Sequence, residues 1–339
     1  MTPTEPLGTC SHCGLDITGM GRCPRCGRAR RGGDPAKERR LGRKTTWRST
    51  TDWDRIDLSS PRRKALATAA KGNEPLQLPA RTLNALVARG LCSAEGTLTG
   101  GGRVCGISML PLRQQCQILD LQLRDHSAGE TRTSPELALM DAYRLAGVPC
   151  CFTEGGIVFV ALYALCFERL FHLGKSKWGS ADYTATVRGK ARTPVQSWMY
   201  SSVIVYQEFL STTVDLEGEL LRDIASVSVG QAMKSFDRLR SWQSDEKWFP
   251  HSYVGMTQEL VQLVLERLPR ATLVEIARLF FSDPHAYVKG WPDLTVIEGG
   301  EVRFVEVKTV DCFHASQIIT IGDMKAATGL NVTVTRVVG

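Results

Sequence analysis

Between Asp293 and Lys308 the chain reads Asp293-Leu294-Thr295-Val296-Ile297-Glu298, Gly299-Gly300, Glu301-Val302-Arg303-Phe304-Val305-Glu306-Val307-Lys308. Two runs rich in β-branched and apolar residues joined by a Gly-Gly pair predict a β-hairpin, because a primed two-residue turn needs positive φ and glycine adopts it without strain. The turn sets the register. With Gly299 and Gly300 as the loop residues, Glu298 faces Glu301, and counting outward puts Asp293 opposite Glu306. Cross-strand Cβ atoms lie roughly 5 Å apart, so both carboxylates fall within reach of one cation. Lys308, two residues beyond Glu306, shares that face.

Like charges set opposite each other destabilise a sheet unless something positive lies between them. A divalent cation suits the place, since hard cations take carboxylate, carbonyl and water oxygens. A lysine beside it can orient or help deprotonate a water. The plainer reading is a surface hairpin whose acids and lysine are merely solvated. The following sequence weighs against that. His314 to Gly329 reads as a helix ending at a glycine, and Asn331 to Val338 as a final strand. His314 and Gln317, three apart, share a helical face.

Strand, strand, helix, strand, carrying Gly290-x-Pro292-Asp293, Glu306-Val307-Lys308 and His314-x-x-Gln317, resembles the VRR-NUC branch of the PD-(D/E)XK nucleases. A second stretch extends the likeness. Glu154-Gly155 precedes an apolar run to Phe171, and Leu260 to Asp293 contains Ile276-Ala277-Arg278-Leu279-Phe280 before the Gly-x-Pro-Asp motif. These resemble the Fanconi-associated nuclease family from about residue 134 to the C-terminus. The resemblance implies that Glu154 joins Asp293, Glu306 and the carbonyl of Val307 in holding Mg²⁺ or Mn²⁺. It implies that Lys308 and Gln317 assist, with His314 a lesser candidate, and that products carry a 5′-phosphate. Read without it, Glu154 is a carboxylate at a helix N-terminus, favoured by the dipole. No repeat period marks the helical-repeat region of the family's eukaryotic members.

At the other end, Cys10-x2-Cys13 and Cys23-x2-Cys26 have the paired spacing of a tetrahedral Zn²⁺ site, with Pro24 and nearby glycines supplying the turns. Cys92, Cys105, Cys116, Cys150, Cys151, Cys166 and Cys312 lie in apolar surroundings and read as small core residues. From Arg22 to Arg48 eleven Lys or Arg stand against Asp34 and Glu38, and the whole chain of 339 residues carries a net charge of +7. Such a run, with Arg28, Arg30 and Arg31 at its start, suits either a solvated linker or a strand-tracking phosphate contact.

Ser60 to Ala70 and Leu78 to Cys92 read as helices, the second carrying Arg81, Asn84 and Arg89 as candidates to reach DNA. Gly96 to Gly106 reads as a short strand with a glycine turn. Together these resemble a winged helix-turn-helix, which either enters a DNA groove or packs against protein. Leu110 to Leu123 reads as a helix and His126 to Thr133 as a polar linker. Ser134 to Gly147 is a capped helix, and Cys150 to Phe171 an apolar helix too short to span a bilayer. Lys175, Lys177, Arg188, Lys190 and Arg192 flank Trp178, Tyr183 and Trp198, a mixture suited to a phosphate backbone and a stacked base, or to an ordinary surface loop. Leu216 to Leu239, Thr257 to Leu268 and Ala271 to Phe281 read as helices.

The expected architecture is α+β, α-rich and multidomain. A zinc ribbon occupies 1–30, a basic linker 31–58, a winged-helix-like domain 59–130, and a restriction-endonuclease-like nuclease domain with a helical shell 131–339. With no basic and apolar leader and no membrane-length apolar run, an intracellular, nucleoid-associated location is expected. The expected partner is DNA with branches or single-stranded ends, in repair, junction resolution or defence. A non-catalytic DNA-binding regulator is the alternative.

Overall fold

A computed structural model describes residues 56, 58–72, 74–127, 134–178, 185–187, 190–192, 216–241 and 253–338. Residues 50–181 and 220–339 form one compact unit, and 1–49 with 182–219 form another. Of the second unit the described parts are the antiparallel hairpin β3 (Ala185–Val187) and β4 (Lys190–Arg192) and the first turn of helix α7 (Leu216–Ser226). The expected ribbon cysteines Cys10, Cys13, Cys23 and Cys26, together with Arg28, Arg30, Arg31 and Arg188, lie outside the described residues. So do the side chains of Lys175, Lys177, Lys190 and Arg192.

In the larger unit a five-stranded mixed sheet runs β1 (Gln122–Ser127), β7 (Val332–Val338), β6 (Glu301–Lys308), β5 (Leu294–Glu298), β2 (Cys150–Phe152). Its centre is the hairpin of β5 (Leu294–Glu298) and β6 (Glu301–Lys308), paired Leu294 to Val305 through Glu298 to Glu301. Gly299 and Gly300 turn it with φ of 60° and 83°, the positive values that a primed turn requires. Helix α12 (Ala315–Thr328) crosses back so that β7 (Val332–Val338) pairs parallel to β6. Gly329 closes that helix in the left-handed conformation.

Alternate residues of the hairpin pack on opposite sides. Leu294, Val296, Val305 and Val307 meet Leu139 and Met140 of α5 (Pro135–Leu145), a helix capped by Ser134, whose hydroxyl accepts from the Leu137 N–H. On the other side the buried rings of Phe304 and Trp291 meet edge to face, and Trp291 meets Phe159 in turn. Each such side chain contributes roughly 1.5–3 kcal/mol by leaving water. Phe159 belongs to α6 (Gly156–Trp178), tied to its neighbours by Arg169 with Asp223 of α7 at 2.8 Å and by Glu168 with Arg238 of α8 (Val229–Ser241). Helices α9 (Gln258–Arg267), α10 (Arg270–Ser282) and α11 (Pro284–Tyr287) complete this shell.

The structure departs from the sequence expectations in several places. Cys150 to Phe152 is strand β2, antiparallel to β5, and the apolar helix starts only at Gly156. β-branched neighbours in the adjacent strand and full burial of the two cysteines override the helical pattern. The run expected as one helix from Leu216 to Leu239 is broken between α7 and α8 at Val227 and Ser228. Before the sheet stand α1 (Ser60–Gly72), α2 (Ala80–Val87), α3 (Gly100–Ser108) and α4 (Leu112–Ile118).

The glycine-rich stretch that reads as strand and turn is therefore helix α3, begun by Thr99, whose hydroxyl accepts from the Gly102 N–H at 3.1 Å. A Cβ at Gly102 would lie 1.7 Å from the Leu91 carbonyl, so glycine here serves close packing. A single antiparallel bridge, Cys92 to Leu98, stands where a short strand was expected. The segment after α4 is strand β1 (Gln122–Ser127), which pairs parallel with β7, so the linker expected from His126 begins inside the sheet.

Candidate active site

The hairpin register brings Asp293, one residue before β5, opposite Glu306, as the turn requires. Gly290 prepares this approach. Its φ is 75°, and a Cβ there would lie 2.2 Å from the Ser316 carbonyl, so the loop before Asp293 lies against the first turn of α12 only because residue 290 lacks a side chain. Thr320 secures the contact by donating to the Lys289 carbonyl at 2.6 Å, and Trp291 donates its indole N–H to the Tyr287 carbonyl at 2.8 Å.

Four polar side chains converge there. Asp293 Oδ2 accepts the Val307 N–H at 2.8 Å. Glu306, fully buried, uses Oε1 alone: it accepts from Lys308 Nζ at 2.9 Å and from Gln317 Nε2. Lys308 Nζ also reaches Gln317 Oε1 at 3.1 Å and Asp311 Oδ2 at 3.3 Å, and lies 5.5 Å above the Phe313 ring. Gln317 Oε1 accepts in addition from the His314 N–H at 3.1 Å. Gln317 thus holds acid, amine and helix start in one arrangement, and its place in the third helical position supplies the reach.

Glu154 arrives from the turn after β2. Its N–H and that of Thr153 both donate to the Asp293 carbonyl, at 3.2 and 3.1 Å. The residue is exposed and has a φ of 47°, a left-handed conformation that costs a residue with a Cβ of order 1 kcal/mol. Gly155 follows at 78°, and a Cβ on it would meet the Trp291 ring at 2.3 Å.

The electrostatics are those of buried acids crowded around a single ammonium. Burial, opposed by the Val307 N–H and Lys308, raises Asp293 to about 6, with Glu136 and Glu154 adding repulsion. Burial and the Asp293 charge raise Glu306 to about 8 despite Lys308 and Gln317. Burial by itself would lower Lys308, but Glu306 and Asp311 raise it, so the ammonium is kept charged. Glu306 Oε2 is buried and has no hydrogen-bond partner. An unsatisfied buried oxygen on a carboxylate is costly, and a cation or a proton relieves it.

Glu136, in the first turn of α5, is the member missed from sequence. Its signal was the capped start Ser134-Pro135-Glu136, which reads equally as ordinary dipole complementation. Among the described residues no three His, Cys, Asp or Glu side chains stand close enough together to ligate one ion as placed. The oxygens instead turn to Val307, Lys308 and Gln317. The basic candidates Arg81 and Arg89 are exposed on and just beyond α2.

A central hairpin presents opposed acids and a buried lysine, and the glutamine of the crossover helix joins them. The chain is similar to paFAN1 bound to 5′-flap DNA with a gap. With a one-nucleotide flap the TM-score is 0.50 at 16% identity, over 85% of this chain and 51% of that one. With a two-nucleotide flap it is 0.49 at 16%, over 89% and 52%. The fold is FAN1-like, and the chain spans about half the length of the structures it matches. No protein-family model and no curated protein matches the sequence. Among the described residues no helix is long and apolar enough to cross a membrane.

Proposed function

We propose that the chain is a Mg²⁺- or Mn²⁺-dependent deoxyribonuclease that hydrolyses phosphodiester bonds in branched, flapped or single-stranded-end DNA and leaves 5′-phosphates. The observation that carries this reading is the buried, unpartnered Oε2 of Glu306 opposite Asp293, an anionic pair with an ammonium on one side only. Carboxylate and carbonyl oxygens are the donors a divalent cation takes, and Asp293, Glu306, Glu154 and the Val307 carbonyl would hold it once the side chains turn toward one another. Bound there, the cation supplies Lewis acidity toward a phosphate oxygen and toward the attacking water.

The chain's own groups do the rest. Lys308, kept charged by Glu306 and Asp311, orients the attacking water or donates to a non-bridging phosphate oxygen. Gln317 fixes the Lys308 ammonium and the Glu306 carboxylate relative to each other. Glu136, from the opposite helix, adds negative potential at Asp293. Arg81 and Arg89, with Arg28, Arg30, Arg31, Lys175, Lys177, Arg188, Lys190 and Arg192, are the proposed phosphate contacts. Cys10, Cys13, Cys23 and Cys26 are the proposed ligands of a structural Zn²⁺. The paFAN1 structure with a one-nucleotide 5′ flap supports the choice of substrate class.

The test is end-labelled single strands, 5′ flaps, four-way junctions and plain duplex incubated with Mg²⁺ or EDTA. Cation-dependent cleavage favouring branched or single-stranded ends is expected. Salt-sensitive binding with no product on any substrate would overturn the reading.

A further inference from the structure

A cleft of about 650 Å³ opens beside the loop that leads from Lys308 into α12. One wall is the start of α1, with Ser60, Arg63 and Lys64, and the other is Asp311 to His314, with Ser108 closing one end. The cleft adjoins the candidate site covalently and by contact. Asp311 at its rim holds Lys308, and the His314 N–H at its wall holds Gln317.

The charges on the α1 wall are arranged against the helix. Arg62 and Arg63 occupy the first turn and Lys64 follows directly, where the dipole is positive and acids are favoured, and no acid is present in that turn. Among the described residues none of the three forms an ion pair with a carboxylate. Arg63 spends one N–H on the Leu58 carbonyl at 3.0 Å, which aims the side chain without neutralising it. Three cations at a positive pole beside a roomy cleft call for an external anion.

The remaining lining says which kind. Ser60, Ser108, Arg63 and Lys64 are donors suited to phosphate oxygens, and the one aromatic residue, Phe313, is buried beneath Lys308. His314 is the one exposed ring in the lining and Asp311 its one carboxylate, against four phosphate donors, so the cleft suits backbone contact more than base recognition. The wall is also fixed to the site. Gln115, fully buried, donates to the Ile107 carbonyl at 2.9 Å and accepts the Phe313 N–H at 2.8 Å, so the helical region and the 311–314 loop are held together.

We infer that this cleft is a phosphate-binding site in which Arg63 and Lys64 hold the sugar-phosphate backbone of the DNA strand flanking the scissile bond. The inference rests on the DNA reading above, and its test is a binding measurement that needs no cleavage. Fluorescence anisotropy in EDTA, with full-length protein, compares wild type, R63A/K64A and R63K across a salt series. The probes are a labelled 5′-flap DNA with and without a terminal 5′-phosphate, and the same DNA with methylphosphonates at successive flanking positions.

The double variant is expected to bind about ten-fold more weakly, with a log–log salt slope smaller by about 1–2. R63K should retain most of the affinity, which separates charge from the bond to Leu58. Methylphosphonate at the contacted position should weaken wild type and leave R63A/K64A indifferent. Dependence on the terminal phosphate alone assigns the site to a strand end, and dependence on an internal position assigns it to the running backbone. Unchanged affinity and slope in R63A/K64A with a wild-type melting temperature overturns the inference. If wild type binds but never cleaves, the nuclease reading fails while this site stands.

Discussion

The main-chain N–H of Glu154 donates to the main-chain carbonyl of Asp293 at 3.2 Å, which ties the turn after β2 to the entry of the central hairpin. Glu154 takes this position at a φ of 47°. Such an outlier is retained where it places something useful. Replacing Glu154 with Gly keeps the backbone bond and removes the conformational cost. The variant is expected to gain about 1 kcal/mol in urea unfolding and to lose at least ten-fold in cleavage rate. A stabilised variant with full activity would make the residue a structural oddity.

Stability should fall with rising pH in the absence of divalent cations. Asp293 and Glu306 are raised by burial to about 6 and about 8, above unfolded values of about 4. Between about pH 4 and pH 8 the folded protein therefore holds more protons than the unfolded chain, and unfolding free energy drops as these acids ionise. A tenfold difference in proton affinity between the folded and unfolded chain corresponds to about 1.4 kcal/mol. Mg²⁺ or Mn²⁺ should raise the melting temperature at pH 8 and do little at pH 5, where protons occupy the same oxygens. Differential scanning fluorimetry at both pH values, with and without cation, reads this directly.

Lys308 and Gln317 share one network, so their effects on cleavage should not add. K308M is expected to reduce the rate at least a hundred-fold, and Q317A about ten-fold or more. The double variant should resemble K308M, because Gln317 acts through the ammonium it holds. Single-turnover rates at saturating enzyme measure the cycle. Additive losses would assign Gln317 a separate task.

Gly290→Ala should lower stability by about 2 kcal/mol or more, since its Cβ would enter the Ser316 carbonyl and its φ is 75°. Because the loop would move from α12, cleavage should fall further than the stability loss alone explains. Chemical denaturation and activity below the melting range separate the two effects.

The hairpin and its acids were legible because a glycine pair fixes register and register fixes which side chains oppose, a purely local rule. The pairing of Asp293 with Glu306 and the place of Lys308 on the same face follow from it, and the helix that delivers Gln317 was legible from its own glycine stop. The strand at Cys150 to Phe152 was hidden because its identity comes from pairing with β5, distant in sequence, and three apolar residues fit either period. Helix α3 was hidden by its glycines, whose low propensity is offset by close packing on Leu91. Strand β1 carries an exposed, polar sequence, Gln122-Leu123-Arg124-Asp125-His126-Ser127, and gains its place from the edge of β7 and from Arg336 bound to Asp125 at 2.8 Å. Glu136 was visible only as a cap-region acid, since its charge matters to Asp293 through space.

The most direct test of the central claim compares wild type with Asp293→Asn, which keeps the shape of the side chain and an acceptor for the Val307 N–H. Cleavage of a labelled 5′-flap DNA is followed in Mn²⁺ and in EDTA alongside its binding. Wild type should cut only with the cation, and the variant should bind the DNA as tightly while cutting at least a thousand-fold more slowly. Undiminished cleavage by Asp293→Asn would contradict the account.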